Sequence, residues 1–503
     1  MGEKGKYKVK AVIFGADKLG IDFYFEIKQG EDVIAFVDNA PHKQKQEILG
    51  IQIIPAESLA CLEFDRIYIA SQYHYKEIAV QVKELGVPEH KISYAPVERC
   101  FQRETKENLY QFQETCKEEE YEAAWRKIEG NYKSIKVYRL GVNAIGELIS
   151  RFIIIHNDSG DDGALRVFIP DSEYVHRVCN TYLVGLLRRK IYLVQEKEVD
   201  LWAYIIKKYK DKIEFSEYHK YNVRKGYPVY QRRADEKEEW FTAEEMQTGR
   251  TALKQMGIEG AYACIGARSD AYNRKTIGHD FSYDFRNMSF YDYGKTVEYL
   301  QRQNIAAVRM GRMETPIEGM DNCIDYAGYY ADDFRDLYVV SESMFMIVNA
   351  CGMFSLASFF SKPLLMVNAV PVTFGMSGIQ YTDIDLYIPK KYYDVNKKRC
   401  LSLREMIQVE LQCSIWGEKY KEKGIKFIDN TPEEIAAAAQ EMVERLTGKW
   451  QDNEEDKENY SKYMEIYQEM REAVAGDPNN WTGEPLPYRL SAVYLRDNGY
   501  LLI

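Results

Sequence analysis

The chain has 503 residues, and a prior of roughly 150 residues per domain points to about three domains rather than one hydrophobic core. Hydrophobic residues make up 46% and charged residues 29%, which excludes a disordered or collagen-like chain. With 67 Lys plus Arg against 78 Asp plus Glu the net charge is -11, which argues against nucleic acid as the main partner.

The nine cysteines are scattered without a CxxC pair, as expected of reduced core residues. The polar, basic start at residues 1–10 leads straight into a strand pattern, which predicts no signal peptide and a cytoplasmic address. The apolar stretch 344–360 is interrupted by Asn349, Gly352, Ser355 and Ser358, so it reads as a strand, a turn and a buried helix rather than a membrane span.

In chain order, residues 7–96 alternate apolar strands (9–14, 33–37, 51–54, 66–70) with helical stretches (21–29, 75–85), as a parallel sheet with crossover helices requires. The turn from Gly15 to Gly20 reads G-x-D-x-x-G. Asp17 stands where a dinucleotide fingerprint has the glycine that admits a pyrophosphate, which weakens the case for NAD. Asp38 ends the second strand, where it either binds a ribose hydroxyl or starts a turn. Gly15, Asp17, Gly20 and Asp38 are the candidate nucleotide contacts of this unit. Residues 102–130 are charged and helix-favouring and read as a connecting helix.

A second alternating series starts with strand 135–140 and the glycine turn 141–148, with further strands at 165–169 and 190–194. The basic run 219–233 is either a solvated face or an attraction for an anionic lipid surface or phosphate-bearing acceptor. The third series includes 262–266, 291–303, 306–310, 337–340, 345–348 and 364–367, and a strand at 425–428. Thr431, Pro432 and Glu434 then mark a firm helix start, while the acidic run 451–458 reads as a surface turn.

The predicted fold class is α/β: a small N-terminal Rossmann-like domain (1–100), a helical linker (101–130) and two doubly wound Rossmann-like lobes (131–260 and 261–503). Two such lobes would place the carboxyl ends of their strands across a common cleft. Three features of the third series favour an anion there. Arg268 follows an apolar strand, with Asp270 and Tyr272 beside it, and a guanidinium fork can hold two phosphate oxygens. Arg309, followed by Gly311, repeats the arrangement, so two arginines at neighbouring strand ends would concentrate positive potential in one crevice; a surface ion pair is the other reading of Arg309. Gly352 and Ser355 open a helix after a buried strand and would supply backbone amides and a hydroxyl. The acidic loop with Asp158, Asp161 and Asp162 reads as a solvated turn, and no metal-ligand spacing appears.

The ordered set Arg268-Ser269-Asp270 with Tyr272, Arg286-Asn287 with Tyr293, Val308 to Gly311, Asp325-Tyr326-Ala327, Gly352 and Ser355 before Lys362-Pro363, and Asp429 to Ile435 resembles a family of bacterial glycosyltransferases from cell-surface polysaccharide clusters, with a GT-B-like fold. The resemblance covers roughly residues 133–503, and the strand-end arginine is distantly similar to that of fucosyltransferase-type enzymes. The N-terminal segment resembles the small Rossmann-like domains that precede sugar acetyltransferases. The resemblance implies a hexosyltransferase-type, metal-independent enzyme with no cofactor, taking a nucleotide-sugar donor and a glycan or lipid-linked acceptor. It implies an acceptor lobe at 131–260 and a donor lobe at 261–503, with Arg268, Tyr272, Arg286, Arg309, Gly311, Gly352 and Ser355 as donor contacts. Family members often carry Gly-His in the first glycine loop, whereas this chain has Gly146-Glu147, so the acceptor base is open between Glu147, Asp270 and His279. Peripheral contact with the inner face of the cell membrane and a homo-oligomer are further expectations. The competing readings are an NAD-dependent sugar-nucleotide oxidoreductase or epimerase centred on Gly15 and Asp38, and a non-catalytic sugar-nucleotide-binding scaffold.

Overall fold

The computed structural model describes residues 8–95, 118–216, 240–312, 315–372, 384–474 and 488–503, apart from 17, 29, 42, 49, 72–74, 142–143, 147, 151, 153–162, 171–178, 196–197, 270–280 and 413–416. Among the described residues, twenty strands form three mainly parallel sheets and one small antiparallel sheet.

The N-terminal sheet contains β1 (Val9–Phe14), β2 (Glu31–Val37), β3 (Glu47–Ile48), β4 (Ile51–Ile54), β5 (Arg66–Ile69) and β6 (Ile92–Tyr94), in the order β3-β4-β2-β1-β5-β6. All neighbours are parallel except β3 and β4. The unbroken apolar run of β1 follows from burial on both faces. Ala11 and Ile13 enter one core cluster while Val12 and Phe14 enter the other, the alternation that a strand imposes.

The second sheet contains β7 (Ser134–Leu140), β8 (Ala164–Pro170), β9 (Tyr192–Leu193) and β10 (Glu214–Ser216), all parallel, in the order β10-β7-β8-β9. Helix Glu118–Glu129, the described part of the expected linker, is a layer of this lobe: its Trp125 shares a core with Ile135, Val137 and Trp202. On the other face, Tyr138 and Leu140 join the core of the third unit, so the two lobes share one apolar interior.

The third sheet contains β11 (Tyr262–Gly266), β12 (Ala306–Met310), β13 (Cys323–Ile324), β14 (Phe345–Val348), β15 (Leu364–Ala369), β16 (Leu386–Pro389) and β20 (Arg489–Leu490). Every pair is parallel and the order is β13-β12-β11-β14-β15-β16-β20. The expected strand at 425–428 lies elsewhere: β17 (Lys391–Asp394), β18 (Arg399–Cys400) and β19 (Ile425–Ile428) form the antiparallel sheet. Residues 337–340 lie inside helix Asp333–Glu342. The Thr431 start is as expected, with a full capping box to Glu434 and Pro432 in the first turn. Segment 344–360 is β14, a turn and helix Phe354–Phe359, and among the described residues no helix is long and apolar enough to cross a membrane. Of the described cysteines, Cys264, Cys323 and Cys351 are buried, but Cys61 is exposed.

The acidic run 451–458 is more than a surface turn. Asp452 accepts from Arg445, Arg489 and the Trp450 indole, and the buried Asp456 accepts from Arg496 Nε at 2.8 Å and Nη2 at 2.6 Å. These bonds tie the last helix, Ala492–Asp497, to helix Glu454–Val474. Burial pushes the Asp456 carboxyl up, but Arg496 more than reverses this and leaves it below the usual range. A depressed carboxyl contributes stability that is complete above the unfolded pKa of about 4 and is lost as pH falls through the folded value. Asp456→Asn is therefore expected to cost about 1–2 kcal/mol at pH 7 by urea denaturation and to flatten the fall in stability below about pH 4; equal acid slopes in the two proteins would refute this.

Candidate functional site

The order of the third sheet steps outward from β11 through β12 to β13, then resumes on the other side at β14, so the topological switch point lies at the carboxyl ends of β11 and β14. Asn349, the first residue after β14, is fully buried there. Its Oδ1 accepts the Arg268 backbone N–H at 2.7 Å, and its Nδ2 donates to the Arg286 carbonyl at 2.7 Å. One carboxamide thus joins the ends of two strands to a third segment. Arg286 donates Nε at 2.9 Å and Nη2 at 2.6 Å to the Ala350 carbonyl, and Arg268 donates to Asn287 Oδ1. Both guanidinium groups lie close enough to the buried Cys351 to oppose, without reversing, the upward push of burial on its thiol. Two half-buried arginines therefore place positive charge on one turn.

The second lobe meets this turn with its own switch point. Its sheet order puts β7 between β8 and β10, and Gly146 lies in the helical segment that follows β7. A Cβ on Gly146 would fall 2.9 Å from Gly352 Cα, and one on Gly352 would fall 3.2 Å from the Gly146 nitrogen. The helical segment and the Gly352 turn touch backbone to backbone, which only glycine permits.

A second bridge stands beside the first. Helix Thr181–Arg188 begins with Asn180, whose Nδ2 donates to the Asp333 carbonyl at 2.9 Å, and the Thr181 backbone N–H donates to Asp333 Oδ2 at 2.6 Å. From the end of β12, Arg312 donates to Asp333 and, at 2.6 Å, to Asp336 Oδ2. Burial pushes the Asp333 carboxyl up, but Thr181 and Arg312 bring it below its ordinary range. At the deeper Asp336 burial prevails and the carboxyl is raised.

The expected residues divide accordingly. Arg268, Arg286 and Gly352 come together at the switch point. Arg309 does not join them: it is buried, donates to Asp325 Oδ1 at 3.0 Å and to the Thr315 carbonyl at 2.9 Å, and stacks 5.2 Å from the Phe290 ring centre. Asp325 follows β13, on the far side of β12 from β11, so it draws Arg309 away from Arg268. The expected convergence of two strand-end arginines is corrected to Arg268 with Arg286, and the Arg309 pair is buried rather than on the surface. Gly311 follows β12 beside Arg312. Ser355 is buried, with its hydroxyl unpaired among the described residues, in a helix of six residues. Glu147, Asp270, Tyr272 and His279 lie outside the described residues, as do Asp17, the basic run 219–233 and the loop with Asp158, Asp161 and Asp162.

In the N-terminal unit the glycine loop closes on itself. A Cβ on Gly15 would lie 2.2 Å from the Ala70 carbonyl oxygen, and one on Gly20 1.8 Å from that of Gly15. Asp38 accepts from the backbone N–H groups of Ala16 and Ala40, each at 2.9 Å, and from Lys43 Nζ at 3.1 Å. Its carboxylate thus forms the turn and clamps the loop. Sequence reasoning missed Asn349, Lys390 and the Arg312 cluster; the only signal at Asn349 was a polar residue ending an apolar strand.

The family described as C2185-like, N-terminal, matches residues 7–93, which is the N-terminal sheet unit; its description does not mention sugar acetyltransferases. No curated protein matches the chain. Among solved structures, the chain is similar to a glycosyl transferase family 9 protein from Veillonella parvula, at 8% identity and a TM-score of 0.34 over 62% of this chain and 98% of that one. It is also similar to the heptosyltransferase WaaC of E. coli with ADP-2-deoxy-2-fluoro heptose, at 10% identity and a TM-score of 0.23 over 75% of this chain and 92% of that one. A third is the iron-containing dodecameric glycosyltransferase TibC of enterotoxigenic E. coli, at 9% identity and a TM-score of 0.28 over 47% of this chain; the match spans 58% of TibC's own length.

The contact between the lobes yields a direct expectation. Gly146→Val should destabilise the protein by about 1–3 kcal/mol, because neither facing backbone can yield, while Gly260→Ala, with nothing within 4 Å of the new methyl, should cost far less. Equal denaturation midpoints for the two variants would contradict the contact.

Proposed function

We propose that the chain is a glycosyltransferase that moves a sugar from a nucleotide-sugar donor to a glycan or lipid-linked acceptor in surface polysaccharide biosynthesis. What carries the reading is the pair of half-buried guanidinium groups, Arg268 and Arg286, held about the buried Asn349 at a switch point where Gly146 of the second lobe meets Gly352.

In such a transfer the acceptor hydroxyl oxygen attacks the anomeric carbon, the bond from that carbon to the diphosphate oxygen breaks, and a base takes the hydroxyl proton. Negative charge grows on the departing nucleoside diphosphate. Fixed positive charge at that position stabilises the transition state more than the ground state, without reorganisation at the moment of reaction. Arg268 and Arg286 would supply that charge without a metal ion, and the Gly352 turn lets backbone approach the phosphates. Tyr272, Gly311 and Ser355 are proposed as further donor contacts, on the resemblance alone. Glu147, Asp270 and His279 are the candidate bases, and Glu147 is adjacent to the Gly146 contact. In the N-terminal unit the Ala16 amide of the Gly15 loop and the Asp38 carboxylate already serve each other, which favours the third sheet over this loop as the nucleotide site.

Thermal shift with ADP, GDP and UDP tests the reading. One of the three is expected to raise the melting temperature, and Arg268→Ala or Arg286→Ala to weaken its binding about tenfold or more, in line with roughly 1.5–3 kcal/mol for a hydrogen bond to a charged group. Equal affinity of wild type and both variants would remove these arginines from the donor site.

A further inference from the structure

The carboxyl edge of the third sheet holds a further cation, far from Arg268 in sequence. Lys390 directly follows β16 and is 3% exposed. An ammonium so deeply buried is tolerated only with an opposite charge and good acceptors. It has both: Nζ donates to Asp429 Oδ1 at 2.6 Å and to the Asn287 backbone carbonyl at 3.0 Å. Asn287 is the residue whose side-chain oxygen receives the Arg268 guanidinium. Its side-chain amide nitrogen donates to Asp284 Oδ1 at 3.2 Å, and the next backbone N–H, of Met288, donates to the Arg268 carbonyl at 3.1 Å. Lys390 thus fixes one end of the Asn287 peptide while Asp284 and Arg268 fix the rest.

We infer that Lys390 is a positioning residue for the anion site: through the Asn287 carbonyl it sets the asparagine that holds the Arg268 guanidinium. Its value for nucleotide binding rests on the donor-site reading above, whereas its hold on Arg268 does not. An apolar side chain of the same length would fill the space but leave the Asn287 carbonyl without its donor. Arginine keeps the charge and the donors. The juxtaposition also links the site to the small antiparallel sheet, since Lys390 precedes β17 and Asp429 follows β19.

The test uses the full chain with Lys390→Met, Lys390→Arg and Asp429→Asn, the last loosening the same anchor from its partner. Two quantities are read: the rate at which phenylglyoxal modifies Arg268, measured by mass spectrometry relative to the exposed Arg250, and the affinity for whichever of ADP, GDP and UDP binds the wild type best. Lys390→Met is expected to raise Arg268 reactivity severalfold and weaken nucleotide binding about tenfold, with Lys390→Arg close to wild type on both and Asp429→Asn in between. If Lys390→Met fails to fold, Asp429→Asn carries the same two readings. Unchanged Arg268 reactivity in a folded variant overturns the inference, and so does raised reactivity with unchanged affinity. If no nucleotide binds the wild type, the donor-site reading falls, and Arg268 reactivity alone decides whether Lys390 positions it.

Discussion

A buried primary amide must find partners for both its oxygen and its nitrogen, and the carboxyl edge of the seven-stranded sheet is arranged around that demand at Asn349. The oxygen takes the backbone of Arg268 and the nitrogen takes the carbonyl of Arg286, so a single side chain ties the paired ends of β11 and β14 to the segment that carries the second arginine. Arg286, whose carbonyl Asn349 holds, donates to the Ala350 carbonyl of the turn after β14. That turn runs on to Gly352, where a bulkier residue than Gly146 from the second lobe would not fit.

All three parallel sheets share one winding, in which the first strand lies between the second and a later one. Topology alone would offer a ligand crevice in each. Side chains decide otherwise. At the N-terminal switch point Gly15 is pressed on the Ala70 carbonyl and Asp38 takes the Ala16 amide of the loop. At the third sheet the switch point carries Arg268 and, from the segment after it, Arg286, while Gly146 of the second lobe meets Gly352 there. The two switch points thus differ by charge, with a carboxylate at one and guanidinium groups at the other.

Much of this was legible in the sequence because apolar runs bounded by turn residues read as buried strands. β1, β11, β12, β14 and β15 belong to this class, β7 shows the alternation of a strand with two unlike faces, and the Thr431 capping box announces its helix through local chemistry alone. The two-residue strands β3, β9, β13, β18 and β20 are too short to carry a period of their own. Side-chain pairing was the harder problem. Arg309 does lie at the end of its strand, but its direction depends on Asp325, which arrives 16 residues later from a strand too short to foresee. Lys390 finds Asn287 across 103 residues and Asp429 across 39, distances over which spacing says nothing. Arg286 was found only as a member of an ordered set, without the asparagine that holds it.

The joint between the second and third sheets bears on how a substrate would enter. Lobes that open as rigid bodies usually meet through small, polar surfaces. Here Tyr138, Leu140, Leu183 and Leu187 of one lobe share a core with Tyr262, Val339 and Phe345 of the other. Rotation of one sheet against the other would have to part Gly146 from Gly352, strip Thr181 from Asp333 and expose that apolar interior to water. At roughly 25 cal/mol per Å² of apolar surface, a wide opening between the two sheets is therefore expensive, and the shared core ties the Gly146–Gly352 contact to the packing of both lobes.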